Sequence, residues 1–158
     1  MSDLLRRLLQ RDEGCRLEPY ADHLGYWTIG YGHLIDRRKG GKLPDWIKSF
    51  PILQDEAEHL LDTDIMDKEI KLSQAWPAFA DQSPLVKAVL VSMAFQMGVG
   101  GVMAFTRTLR AIEEHRRADA GKGMRESAWY RQTPKRVERL ARTIETDDAK
   151  FLELGNQV

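Results

Sequence analysis

A single cysteine, Cys15, is all this 158-residue chain has, so no internal disulfide can form, and neither a stapled secreted scaffold nor a four-cysteine zinc site can be built. Long apolar runs are missing too. The longest, residues 85–95, is interrupted by Lys87 and falls well short of the roughly 20 residues that span a bilayer, so no stable membrane insertion is expected. The first residues set Arg6 and Arg7 among only four leucines, without the apolar stretch and small-residue cleavage site of a secretory leader. Synthesis is therefore expected to end in the cytoplasm. Excess charge of either sign is also absent, with 24 Lys and Arg against 24 Asp and Glu, which argues against a surface built to trap nucleic acid. The histidines at 23, 33, 59 and 115 form no paired ligand motif, so no metal and no cofactor is expected. Neither Gly30-Tyr31-Gly32 nor Gly98-Val99-Gly100-Gly101 has the spacing or the Lys-Ser/Thr ending of a phosphate loop, and both read as turns.

What is present fits one domain, or two lobes sharing a core. Ser2 or Asp3 can cap a helix over residues 3–13 in which Leu4, Leu5, Leu8 and Leu9 recur at helical spacing, with Gly14 as its stop. Residues 16–36 are rich in Tyr, Trp, Thr, Ile and Gly and suit short antiparallel strands. Residues 36–45 read as an exposed loop. Ala57, Leu60, Leu61, Ile65 and Leu72 then predict a long helix over 55–74. Ser83-Pro84 opens a helix that is apolar nearly all round to Met97 and stops at Gly98. Thr106 and Thr133-Pro134 start two more, and the C-terminal half is helical throughout. Its residues 101–142 hold eleven Lys and Arg against five Asp and Glu. Such a run is ordinarily a set of solvated helix faces, the alternative being a hold on an anionic polymer.

Glu13 at a helix end, Asp22 in a loop and Thr28 in a strand bring two carboxylates and a hydroxyl into one small region. Hydrolysis of a glycosidic bond needs a carboxylic acid to protonate the leaving oxygen and a second carboxylate to activate water or steady the cationic transition state. A Glu and an Asp so placed are also commonplace surface residues. His33 is open to three readings: metal ligand, general base or ion-pair partner. Cys15 has no histidine linked to it in a thiol-protease pattern and reads as a packing residue.

The strings around these residues are more specific. Arg11-Asp12-Glu13-Gly14-Cys15-Arg16-Leu17, Tyr20-Ala21-Asp22 and Gly25-Tyr26-Trp27-Thr28-Ile29-Gly30-Tyr31-Gly32-His33 closely resemble the phage-type lysozyme family around the T-even bacteriophage lysozymes. Asp55-Glu56-Ala57-Glu58, Phe95-Gln96-Met97-Gly98 and Trp129-Tyr130-Arg131-Gln132-Thr133-Pro134 extend the likeness over nearly the whole chain. The resemblance implies an endolysin muramidase that hydrolyses the β-1,4 bond between N-acetylmuramic acid and N-acetylglucosamine in peptidoglycan. Glu13 would donate the proton, while Asp22 and Thr28 would position the attacking water, giving inversion. Leu34, Phe95, Gln96 and Thr108 match positions that line the saccharide cleft, with Trp129 packed beneath. His33 would pair with Asp64, and Arg136 would reach Glu13, its charge opposing the effect of burial on that acid.

The fold implied is α+β and mainly helical: a small N-terminal antiparallel sheet lobe (14–54), a connecting helix (55–74) and a helical lobe (1–13 and 75–158), with the glycan in the cleft between lobes. No cofactor is needed. The partner is the peptidoglycan strand, the chain a monomer that waits in the host cytoplasm for a separate pore-forming protein to give access to the wall. Two features depart from the family: Gly123 stands where it has asparagine and Thr108 where it has serine. Residues 36–50 match poorly, and the neutral chain lacks the family's strong basic charge. A lytic transglycosylase and a non-catalytic wall-binding or phage structural module are the alternatives; Asp22 and Thr28 speak against the first, which needs only the acid, and retention of Glu13, Asp22 and Thr28 speaks against the second.

Overall fold

A computed structural model describes residues 3–45, 47 and 51–153. Helix α1 (Asp3–Glu13) buries Leu5, Leu8 and Leu9 along one stripe, and the Gly14 N–H closes its last turn on the Gln10 carbonyl at 3.2 Å. The cap expected at Ser2 lies outside the described residues, as does Phe50 in the loop that matches the family poorly. Three strands follow, β1 (Arg16–Ala21), β2 (Trp27–Gly30) and β3 (His33–Leu34), in an antiparallel sheet of order β1-β2-β3. Tyr20 pairs with Thr28 and Ala21 with Trp27 across one hairpin, and Thr28 with Leu34 across the next. The β1–β2 register slips between Arg16 and Tyr20, where Pro19 has no N–H to give the ladder.

Helix α2 (Gln54–Ala75) begins with Glu56 turned back to accept the Leu53 N–H at 2.7 Å, the returning half of a capping box. Ala57, Leu61, Ile65 and Leu72 form its buried stripe. The chain divides into two compact units, one from Asp3 to Asp67 and one beginning at Lys68. The boundary thus falls inside α2, and α1, tied to it by Arg6 Nη2 on Asp62 Oδ2 at 2.5 Å, counts with the sheet. The division expected from sequence set residues 1–13 with the C-terminal helices instead.

The second unit is helical. After a 3-10 turn at Pro77–Phe79 comes α3 (Pro84–Met103), whose first residue is proline and whose start is capped by Ser83 Oγ accepting from the Val86 N–H at 3.3 Å. From Ala88 to Ala94 every side chain is buried. By length and composition α3 could cross a membrane; half of its most apolar stretch is buried within the protein. The expected stop at Gly98 is a kink instead: Gly98 leaves helical geometry (φ 74°, ψ 165°) and the helix resumes to Met103.

Helices α4 (Thr106–Glu113), α5 (Arg117–Arg125), α6 (Ala128–Gln132), α7 (Pro134–Thr146) and α8 (Lys150–Glu153) complete the unit. Arg125 on α5 forks onto two carboxylates of α7, Glu138 (2.7 Å) and Glu145. Glu138 also accepts from Arg142 at 2.8 Å, and together these cations hold its carboxyl at about 2. The basic stretch is therefore laced with carboxylates: Arg110 and Arg116 meet Glu114, and Arg116 meets Asp119.

Candidate active site

The β1–β2 loop is ordered around one carboxylate. Asp22 Oδ1 accepts the N–H groups of Leu24 and Tyr26, both at 2.9 Å, while its own N–H donates to the Tyr26 carbonyl at 2.8 Å and its carbonyl accepts from Gly25 at 2.9 Å. An aspartate that bonds its backbone neighbours in this way fixes a turn. The Tyr26 N–H, with help from Leu24 and His23, draws the Asp22 carboxyl below the usual range, so it is anionic at neutral pH. Its second oxygen, Oδ2, accepts no hydrogen bond among the described residues.

Glu13 sits half-buried at the end of α1. The β2–β3 turn passes beside it: a Cβ built on Gly32 would lie 3.8 Å from Glu13 Oε2. Thr28, buried in β2, donates through Oγ1 to the Tyr26 carbonyl at 3.2 Å. Tyr20, paired across the sheet with Thr28, links the set. Burial raises its phenol pKa; Arg16, stacked 4.5 Å from the ring centroid, opposes that; and the charges of Glu13 and Asp22 both raise it further. One phenol therefore feels both carboxylates. Sequence reasoning passed over Tyr20, whose strand position opposite Thr28 follows only once the hairpin register is known.

In the same unit His33 Nδ1 lies 2.9 Å from Asp64 Oδ2 and 3.0 Å from Oδ1, joining β3 to α2. Leu34, across from Thr28, leaves 44% of its surface exposed, consistent with an apolar platform beside the hydroxyl. Among the described residues no group of three or more His, Cys, Asp or Glu is placed to hold a metal ion. Cys15 is exposed, its Sγ 3.9 Å from Gln54 Oε1; the packing role expected for it is not what the structure shows, because residue 15 falls in the exposed link between α1 and β1.

Phe95, Gln96, Thr108 and Arg136 belong to the second unit. Gln96 is held at both ends of its amide: Oε1 accepts from Trp129 Nε1 at 2.8 Å and Nε2 donates to Thr133 Oγ1 at 3.3 Å. Trp129 is buried and meets Phe105 edge to face, centroids 5.9 Å apart. Lys68 Nζ lies 5.9 Å from the Phe95 ring centroid. Arg136 Nη2 donates to the carbonyl and hydroxyl of Ser92, each at 3.1 Å. Thr108 is buried and borders a depression of about 480 Å³ that is also lined by Phe105, Arg107, Gly123, Glu126 and Ser127. Phe105 and Gly123 join this site through tertiary packing that sequence does not display.

Comparison with known proteins adds the following. Residues 10–144 match the phage lysozyme family. Probable T4-type lysozyme 1 of Dictyostelium discoideum is 36% identical over 92% of this chain and 96% of its own length. The pre-baseplate central spike protein Gp5 of Enterobacteria phage T4 is 35% identical over 90% of this chain, which spans 28% of that protein. Peptidoglycan hydrolase gp36 of Pseudomonas phage phiKMV is 32% identical over 84% of this chain and 14% of its own length.

Proposed function

The chain belongs to the phage lysozyme family and is a glycoside hydrolase of the lysozyme type acting on peptidoglycan; from that premise we propose that it cuts the β-1,4 bond between N-acetylmuramic acid and N-acetylglucosamine with inversion. Glu13 gives its proton to the leaving glycosidic oxygen as the C1–O bond breaks. A water held between Asp22 and Thr28 attacks C1 from the opposite face and passes a proton to Asp22. Leu34, Phe95, Gln96 and Thr108 hold the sugars. His33 and Asp64 brace the sheet against α2.

The observation that carries this reading is Asp22 itself: a carboxylate kept anionic by two backbone N–H groups, with its other oxygen open, beside the same tyrosine that feels Glu13. A hydrolytic site needs two unlike carboxyls of this kind, one fixed as the base. In the cell the enzyme acts as an endolysin, made in the host cytoplasm as a monomer and admitted to the wall by a separate pore-forming protein.

Purified peptidoglycan digested with the wild type and with Glu13→Gln tests the chemistry. Water-added, reducing muramyl ends that disappear in the variant, and that are first released as the α-anomer by NMR, are expected. Anhydro ends would move the enzyme to the transglycosylases, and no cleavage by folded wild type would leave a binding module.

A further inference from the structure

Gly25 is the point at which the turn around Asp22 can be held from outside. Its chain neighbours Leu24 and Tyr26 supply the two N–H groups on Asp22 Oδ1, and its own N–H donates to the Asp22 carbonyl at 2.9 Å. Its φ of 87° is one that glycine adopts freely and other residues rarely do. Movement at residue 25 is therefore passed to the carboxylate on both sides.

The loop over residues 36–45 reaches this point. Asp36 gathers the loop: its Oδ1 accepts the Arg38 N–H at 2.8 Å and Arg38 Nε at 3.2 Å, its Oδ2 accepts Arg38 Nη2 at 3.0 Å, and the Gly41 N–H closes the turn on the Arg38 carbonyl at 3.0 Å. Arg38 draws the Asp36 carboxyl below its ordinary range, so an ion pair backs the backbone bonds. The tip so formed lands on Gly25. The Gly40 N–H donates to the Gly25 carbonyl at 3.3 Å. Lys39 lays its stem where a side chain at 25 would stand, since a Cβ there would meet Lys39 Cε at 2.8 Å, Cγ at 3.4 Å and Cδ at 3.6 Å. Lys39 is exposed and makes no ion pair among the described residues, so the contact of its stem with Gly25 accounts for its placement.

Resting on Asp22 as the base of the reaction above, we propose that Lys39 is a positioning residue: its alkyl stem, with the Gly40 N–H, clamps Gly25 and so holds the turn that aims the Asp22 carboxylate. Lys39 acts through the turn and touches no substrate. Its methylenes carry the effect, while the ammonium stays in water. The clamp belongs to the stretch in which this chain matches the family poorly.

The test uses the full-length protein labelled with ¹⁵N. Lys39→Ala removes the stem; Lys39→Met keeps an unbranched stem without the charge. In Lys39→Ala the Leu24 and Tyr26 amide protons should exchange with water faster by NMR while those of α2 keep their wild-type rates. On peptidoglycan kcat should fall about three- to ten-fold with KM unchanged, less than the roughly 100-fold that follows when a reacting group is misplaced by an ångström. Lys39→Met should restore both readouts. Wild-type exchange and kcat in Lys39→Ala overturn the proposal. So does a Lys39→Met that behaves as Lys39→Ala, which would give the effect to the ammonium, or a raised KM in both, which would make Lys39 a substrate contact. Wild-type kcat in Asp22→Asn would instead overturn Asp22 as the base, while the amide exchange still decides the clamp.

Discussion

Asp22 shows how a loop residue is made into a reagent. Two backbone N–H groups hold one oxygen in place, and the turn's N–H groups, led by that of Tyr26, lower the carboxyl pKa with some help from His23, so the fixed charge is largely a product of the turn itself. Asp22→Asn can accept the same two N–H groups through its amide oxygen and should fold normally. It is expected to lose at least about 100-fold in kcat, the scale of removing a catalytic base, with an unchanged circular dichroism spectrum. Because the folded carboxyl is depressed, the working anion is lost only as pH falls below the ordinary carboxylate range; a pH–rate profile should show no fall from this group at pH 5 to 6. Glu13, Asp22 and Thr28 were legible as candidates because helix end, turn and strand are local signals, and all three lie within sixteen residues. Gln96 was less legible. Its amide is engaged by Trp129 and Thr133, residues more than thirty positions away, and no pattern in sequence reports such a bond.

Among the elements, α3 and α7 show where sequence signals are ambiguous. Glycine after an apolar run predicts a stop, but the same residue serves equally for a kink when both sides of it can pack, as Val102 does when α3 resumes. Gly98 adopts φ 74° and ψ 165°, a combination open to essentially no other residue, and open space surrounds the point where a Cβ would sit. Gly98→Ala should therefore cost about 1 to 3 kcal/mol through backbone strain alone, read from urea unfolding midpoints. The start of α7 was legible from Thr133-Pro134, but Thr133 does not cap it; its hydroxyl is the acceptor for Gln96, so a local signal has been put to tertiary use.

For the molecule as a whole, the α+β class, the helical C-terminal half and the single small sheet could be read from periodicity, since each depends on neighbours in the chain. The division into units could not: it depends on contacts such as Arg6 with Asp62 that bring α1 together with α2. Net charge was equally uninformative about acid stability, which rests on where the charges meet. Glu138 drops from the ordinary 4.5 to about 2 in the fold, chiefly through Arg125. The sign is that of a depressed acid: its stabilisation is complete above pH 4.5 and is lost as pH falls from there toward 2. Glu138→Gln should lower unfolding free energy by on the order of 1 kcal/mol at neutral pH, solvent screening included, and the two stability curves should converge near pH 2. The two glycines of α5 carry a last consequence, one of timing. With Gly121 making way for the Glu145 carboxylate and Gly123 for a hydroxyl, α5 is intrinsically the weakest long helix of its unit, and its turns close only once Arg125 has found α7. Amide hydrogen exchange is expected to be faster in α5 than in α3 and α7, and equal protection in the three helices would overturn that ordering.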